Sequence, residues 1–479
     1  MRNAPTRQVV KLPGTVVALA LAGLIATARP ARAGDACANF AAAYAAAAQS
    51  VAGALFITGP ETQPVWRDVE QPEGARYLAT TVTSALQDAL LAADPAHPQL
   101  GRGDLRYDLG LSNPDNVYYL ARIQPGADYR IVGRRGTSAD LTVQALIGYP
   151  ATGSLGVNAG LIRLSEIAVG DDGRFEILVS AQPQPGNWLK VDPDADTITI
   201  RETFQDWATE RAGSFRIERV GVPYGELRPS RTQLLAALDE AAVLLRTESD
   251  FYVRVVEGFL GLIPRGPDNP APATLPPNVL TPPVETSNGL PGQRSSIIQF
   301  ALEPGEAVLV TASKSRFPYQ GFQAGNVWFE SFEWARHQTS LTTAQALPDA
   351  DGLYRFVVSP TDPGVPNWID TRGQLRGFAF MRWQGLDEDI PPQEFPSARI
   401  VKLAELRAQL PPETPVVDAG ARQRSLSRRE AQAARRLGVT SAPVRALADR
   451  LRALRAADRD CSLTSLLPAN ITQSGTRAY

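Results

Sequence analysis

Asp172-Gly-Arg-Phe-Glu-Ile-Leu-Val-Ser180, followed by Pro185-Gly-Asn-Trp188, returns later as Asp351-Gly-Leu-Tyr-Arg-Phe-Val-Val-Ser359, followed by Pro366-Asn-Trp368. Upstream, Ile123-Gln-Pro-Gly126 is echoed by Leu302-Glu-Pro-Gly305. The separation is 179 residues at 125/304 and at 172/351, and 180 at 187/367 after a one-residue insertion. Agreement at three places marks a duplicated unit. Asp-Gly supplies a turn, and the β-branched and aromatic run after it reads as a strand. The expected fold class is therefore α+β, with two related antiparallel β-sandwich or jelly-roll-like units and helices packed at the N-terminus, middle and C-terminus.

Working outward, short β-type runs fill 101–228 (Val117–Ile123, Tyr129–Val132, Leu141–Ile147, Phe175–Val179, Thr197–Ile200, Phe215–Val220) and return over 293–400. Helical spacing predicts N-terminal helices within 34–100, at Ala38–Ile57 and Glu73–Ala93. A helical hairpin is expected over 229–263, with Ser230 capping its first helix and Asp250 its second. Residues 264–292, rich in Pro, read as a semi-rigid linker or a loop wrapped over the surface. Helices and a tail, 401–479, close the chain, beginning with a helix at Val401–Leu410.

A chain of 479 residues exceeds one hydrophobic core. Five basic residues and no acid fall in the first 33, which leaves 43 basic against 50 acidic groups beyond them. That acidic body excludes nucleic acid as the main partner. Arg2, Arg7 and Lys11, the apolar run Thr15–Ala28 and Ala31-Arg-Ala33 have the layout of a signal peptide over 1–33, so export to the periplasm or the medium is expected. Two cysteines, Cys37 and Cys461, are expected to pair in an oxidising compartment and to staple the terminal helices. The tail over 421–459 carries eleven Arg and three acids. Its Arg face is expected to be solvated or paired with the acidic body, with anionic membrane contact as the alternative.

The repeated pairs Asn187–Trp188 and Asn367–Trp368 are candidate ligand-binding residues, since an indole stacks on a sugar while an amide orients it. The competing reading is architectural, because a feature present in both halves belongs to the fold. His337, Glu333, Asp370 and Arg382 are the candidate catalytic set, with His337 as a lone acid/base group beside Glu333. Two His and two Cys cannot build an ordinary zinc site, and no metal is expected. Asp192, Asp194 and Asp196 alternate as in a calcium loop, but Thr197 and Thr203 stand where that loop needs Gly and Glu. Asp387, Glu388 and Asp389 read as a solvated turn. Phosphate-loop, dinucleotide and nucleophile-elbow motifs are absent, so no cofactor is expected.

Asn113-Pro-Asp-Asn-Val-Tyr118, Pro185-Gly-Asn-Trp-Leu189, Ile200-Arg-Glu-Thr-Phe-Gln-Asp-Trp207 and Gly364-Val-Pro-Asn-Trp-Ile-Asp370 resemble bacterial proteins of the domain of unknown function 1214. The resemblance covers about residues 100–410. It implies antiparallel β-sandwich or jelly-roll-like domains with packed helices, and no established reaction. The leading expectation is an exported binding or accessory protein for a small molecule, glycan or lipid-like compound. The alternatives are a hydrolase or lyase built on His337 and a structural envelope-associated protein.

Overall fold

The computed structural model describes residues 33–55, 70–102, 109–149, 152–153, 156–223, 230–262, 274–285 and 289–437. The expected leader up to residue 32, Cys461 and the tail beyond 437 lie outside the described residues.

Helices α1 (Ala33–Leu55) and α2 (Gln71–Ala92) come first. The first β unit holds β1 (Gly101–Arg102), β2 (Asn116–Arg122), β3 (Tyr129–Arg134), β4 (Asp140–Ile147), β5 (Val157–Arg163), β6 (Arg174–Ser180), β7 (Trp188–Lys190), β8 (Thr197–Thr203) and β9 (Ser214–Arg219). Helix α3 (Arg231–Phe259) leads to the second unit: β10 (Val284–Glu285), β11 (Arg294–Ala301), β12 (Glu306–Ser313), β13 (Tyr319–Gly325), β14 (Ser340–Thr342), β15 (Leu353–Ser359), β16 (Trp368–Asp370), β17 (Arg376–Gln384) and β18 (Ser397–Lys402). Helices α4 (Leu406–Gln409) and α5 (Ala419–Leu437) follow.

The duplication holds strand by strand. The first unit pairs a sheet of order β1-β2-β8-β4-β5 with one of order β7-β6-β3-β9. The second repeats this as β10-β11-β17-β13-β14 with β16-β15-β12-β18. In each unit one parallel pair interrupts the antiparallel pattern, Val179 opposite Leu189 and Val358 opposite Ile369. Alternation drives the layering: in β3, Tyr129, Ile131 and Gly133 are buried while Arg134 is exposed. The inward residues of both sheets share one core, with Val143, Ile198 and Ile200 facing Ile131, Ile177 and Leu189. Ile298, Phe322 and Met381 face Val310, Phe356 and Ile369 in the second unit. Each unit is thus a sandwich.

Helix α3 corrects the expected hairpin: it is one continuous element of 29 residues, and Asp250 lies inside it. No Gly or Pro interrupts Arg246–Asp250, and the buried stripe continues through Tyr252, Val253 and Val256. Its start matches expectation: Ser230 Oγ accepts from Gln233 N at 3.2 Å, and Gln233 Oε1 from Ser230 N at 2.8 Å. The first half of α3 packs Ala237, Ala241 and Leu245 on Phe40 and Ala43 of α1 and on Ala85 and Ala89 of α2. Its second half joins Tyr77 of α2 against Trp328, Phe329 and Phe378 of the second unit. Gly74 is required at this contact, because a Cβ there would stand 2.6 Å from the Trp328 ring.

One further expectation changes. Val401 belongs to β18, where Ala307 pairs with it, and only Leu406–Gln409 is α-helical nearby. The described part of the Pro-rich stretch follows the wrapped-loop alternative rather than the linker. Asn278 exchanges side-chain hydrogen bonds with Ala301 at 2.7 and 2.8 Å, and β10 pairs with β11.

The α5 arginines divide by face. Arg424, Arg428 and Arg435 are exposed, as the solvated reading requires, but Arg422, Arg429 and Arg436 are buried. The run Asp387–Asp389 is also more than a solvated turn. Arg294 pairs with Asp389 at 2.9 Å, and Arg163 of the first unit reaches Asp387 at 3.4 Å.

Candidate functional site

The loop from Glu333 to Gln338 enters β14 beside the end of β16. Glu333 Oε1 accepts from the backbone N–H groups of Ala335 (3.1 Å) and Arg336 (3.2 Å), which turns the chain and presents His337. Backbone pairing fixes the opposite wall: Asp370 N donates to Gln338 O at 2.9 Å. Asp370 is buried, and its Oδ1 accepts from Arg372 N at 2.8 Å. That turn holds Arg372 at φ 56°, a left-handed conformation uncommon outside Gly and Asn.

Three of the four expected catalytic residues meet here. His337 Nε2 lies 3.7 Å from Glu333 Oε2, and its Nδ1 lies 3.6 Å from Asp370 Oδ2. Arg372, which the sequence places just downstream of the second Asn–Trp pair but outside the candidate set, completes the cluster: its Nη1 is 2.9 Å from His337 Nδ1 and 3.4 Å from Asp370 Oδ2. A guanidinium only donates, so Nδ1 accepts and the proton of the neutral ring sits on Nε2, toward Glu333. The imidazole and guanidinium are one-third to two-fifths exposed, while Asp370 beneath them is nearly covered. The arrangement is a guanidinium and an imidazole over a buried carboxylate, with Glu333 at the outer edge.

Arg382 does not belong to it. On β17 its Nη1 donates to Gln323 Oε1 and its Nη2 to Leu111 O at 2.7 Å, with the guanidinium 4.5 Å over the Phe380 ring. Burial lowers its pKa, an effect that the nearby Tyr118, Tyr319 and Asp115 oppose. It sits instead in a polar core between the units. There Asp115 Oδ2 accepts from Tyr319 OH at 2.7 Å and its Oδ1 accepts from Trp207 Nε1 at 3.0 Å. Burial raises the Asp115 carboxyl, and the hydrogen bond from Tyr319 and the charges of Arg436 and Arg429 pull it back. Asp115 lies inside the Asn113-Pro-Asp-Asn run, so its position was visible in the sequence while its partners were not.

The Asn–Trp pairs fill the architectural role in both units. Asn367 Oδ1 accepts from Leu347 N at 2.8 Å and its Nδ2 donates to Leu347 O at 2.7 Å. Asn187 clasps Ala168 in the same way, at 2.7 and 2.9 Å. Trp368 Nε1 donates to Ser359 O and Trp188 Nε1 to Ser180 O. Their polar groups are therefore engaged with backbone, and Arg422 stands 5.1 Å over the Trp368 ring. We expect Asn367→Ala, at a buried clasp, to cost about 1–3 kcal/mol in urea denaturation. Asn187→Ala, at the more exposed copy, should cost less.

Next to Asn367 is a cavity of about 10 Å³ lined by Asp349, Arg355, Val365, Leu410 and Thr414, room for about one water. Among the described residues no cluster of three or more His, Cys, Asp or Glu could hold a metal ion. Asp196 of the failed calcium pattern accepts from Gly148 N and from Thr197 OH. Among the described residues no helix is long and apolar enough to cross a membrane. Cys37 lies on α1, and its expected partner Cys461 falls outside the described residues.

No protein-family model matches the chain, and no curated protein does. Among solved structures, an uncharacterised protein from Burkholderia cenocepacia is similar, with 27% identity over 78% of this chain and 99% of its own, at a TM-score of 0.65. A protein from Vibrio parahaemolyticus matches at 12% identity over 68% of this chain and 98% of its own, with a TM-score of 0.36, too low to carry an argument. The Burkholderia likeness shows that the α+β arrangement of two sandwiches and packed helices is a fold held in common with that protein.

Proposed function

We propose that this chain is an exported binding protein that takes a small acidic compound, such as a carboxylated sugar, at the His337–Arg372 rim. The observation that carries the reading is Arg372 itself. A non-glycine residue is kept in the left-handed region by a buried carboxylate, and its guanidinium is thereby aimed at the surface beside an imidazole. Arg has five donors, and the contacts with His337 and Asp370 run through Nη1 alone, which leaves Nε and Nη2 as the pair that would take a carboxylate in the two-pronged geometry guanidinium favours. The imidazole and guanidinium stand partly in solvent, which fits weak, exchangeable binding.

The two histidines of the chain make the test direct. Glucuronate should shift the His337 imidazole resonances saturably while His97 stays still, and glucose should do neither. Arg372→Ala should weaken binding at least about tenfold, a loss of about 1.4 kcal/mol. A His337 signal indifferent to glucuronate removes the reading.

A second reading, acid/base chemistry of a hydrolase or lyase, draws on the imidazole lying within 4 Å of two carboxylates. It requires Arg372 to swing away from Nδ1. Turnover of model esters or glycosides that vanishes in His337→Ala would favour it; equal turnover in the variant would end it.

A further inference from the structure

Helix α5 carries Arg422, Arg429 and Arg436 seven residues apart, so two turns separate each from the next and all three share one face. Each guanidinium is buried against an indole: Arg422 over Trp368 at 5.1 Å, Arg429 over Trp207 at 4.5 Å, Arg436 over Trp207 at 4.3 Å and Trp334 at 5.0 Å. This is a helix attached through cations on aromatic faces, with Ala433 its sole fully buried apolar side chain among the described residues.

The polar ends of these arginines converge on the loop that presents His337. Arg429 donates through Nε to Trp334 O, and through Nη1 and Nη2 to Ser340 O (2.9 Å) and Ser340 Oγ (2.7 Å). One guanidinium thus fastens both ends of the segment 334–340. Arg422 holds its middle, donating to Gln338 Oε1 at 3.1 Å while Asp362 anchors the same guanidinium at 2.8 Å. Gln338 in turn donates to Pro366 O and Trp368 O, the approach to Asp370. The His337 loop is therefore gripped from one side by β16 and from the other by α5.

We propose that Arg429 and Arg422 are positioning residues, and that docking of α5 assembles the His337–Arg372–Asp370 cluster. The functional weight of this inference rests on the binding reading above; its structural content does not. When α5 lifts, the loop loses both end fasteners and its central tether together, and the imidazole leaves Arg372.

Chemical rescue separates positioning from general support. In the full chain, Arg429→Ala should move the His337 imidazole resonances, leave those of His97 in place, and raise amide exchange of α5 at least about tenfold. Methylguanidinium, at on the order of 10 mM, should refill the slot between Trp207 and Ser340 and return the His337 signal toward wild type. Arg429→Lys should not substitute, because an ammonium cannot bridge Trp334 and Ser340 in one plane. An unmoved His337 signal in folded Arg429→Ala, or a moved one deaf to methylguanidinium, overturns the proposal. If Arg429→Ala does not fold, Arg422→Gln is the second probe, and an unchanged His337 signal there overturns it equally. None of these readouts involves glucuronate, so failure of ligand binding and failure of the helix to position the loop remain distinguishable.

Discussion

Trp207→Ala should destabilise the protein by at least about 4 kcal/mol, read as a fall in the urea midpoint. The indole is fully buried and meets Trp334 edge-on at 5.5 Å. Truncation to Ala opens a large cavity, worth about 3–5 kcal/mol by itself for a core Trp. Two further losses follow. Arg429 and Arg436 lose the ring on which both rest. Asp115, already raised by burial, loses the donor at Oδ1 and keeps the Tyr319 hydroxyl at Oδ2. Trp207→Phe separates these effects: it retains a ring face for the guanidiniums and removes the N–H, so about 2 kcal/mol is expected. A cost below about 1 kcal/mol for the alanine variant would show that this seam does not join the units.

Glu248→Gln should raise stability at pH 8 and leave it unchanged near pH 4. Glu248 is buried between α2 and α3, where Oε1 accepts from Ser84 Oγ at 3.0 Å and Oε2 accepts nothing from any described residue. Burial first, and then the charge of Asp88, push its carboxyl well above the ordinary range, with the Ser84 bond opposing. Beyond Ser84, the tyrosines around it share in the upward shift rather than offset it. Tyr77, Tyr252 and Tyr149 all have raised hydroxyls, and among their causes burial comes first and the Glu248 charge contributes. Because the folded value exceeds the unfolded one, the unfolded chain releases the proton first. Stability is then full below about pH 4 and falls as pH rises toward the folded value, by at most about 1.4 kcal/mol per pH unit for one proton. The amide keeps the acceptor for Ser84 and cannot ionise. Parallel stability–pH curves for the two proteins between pH 4 and 8 would refute the argument.

The duplication was legible because strands with one buried face repeat their pattern: the Asp-Gly turn, the alternating run and Asn-Trp recur at fixed separation in sequence and again in the sheets. The strand runs, the start of α3 and the nearness of His337 to Glu333, four residues before it, follow from local signals of this kind. What stayed hidden depends on distant partners. Arg382 sits in the same sheet as the site loop, yet its guanidinium turns to Leu111 of the other half, and no local pattern records that. Arg372 stood out only as a neighbour of the second Asn–Trp pair, because its place in the cluster comes from a backbone conformation imposed by Asp370. The heptad spacing of Arg422, Arg429 and Arg436 was readable, but charge alone assigns such a face to water, and only the three indoles beneath it reverse that assignment. The hairpin expected around Asp250 failed because a good N-cap residue is neutral enough inside a helix whose buried face continues past it.

The short parallel strands β7 and β16 have a consequence for solubility. Each lies along the outer side of a longer strand, β6 or β15, that would otherwise end its four-stranded sheet with bare N–H and C=O groups. A bare edge recruits other chains, and exposed strand edges seed aggregates. Three residues are too few to template a neighbour in their turn, while the indole bond to Ser180 O or Ser359 O seals the last carbonyl of the strand they cover. The Asn–Trp clasp is in this sense a guard against self-association. Its weakening would be felt first as turbidity in concentrated or warmed solution, before any loss of secondary structure.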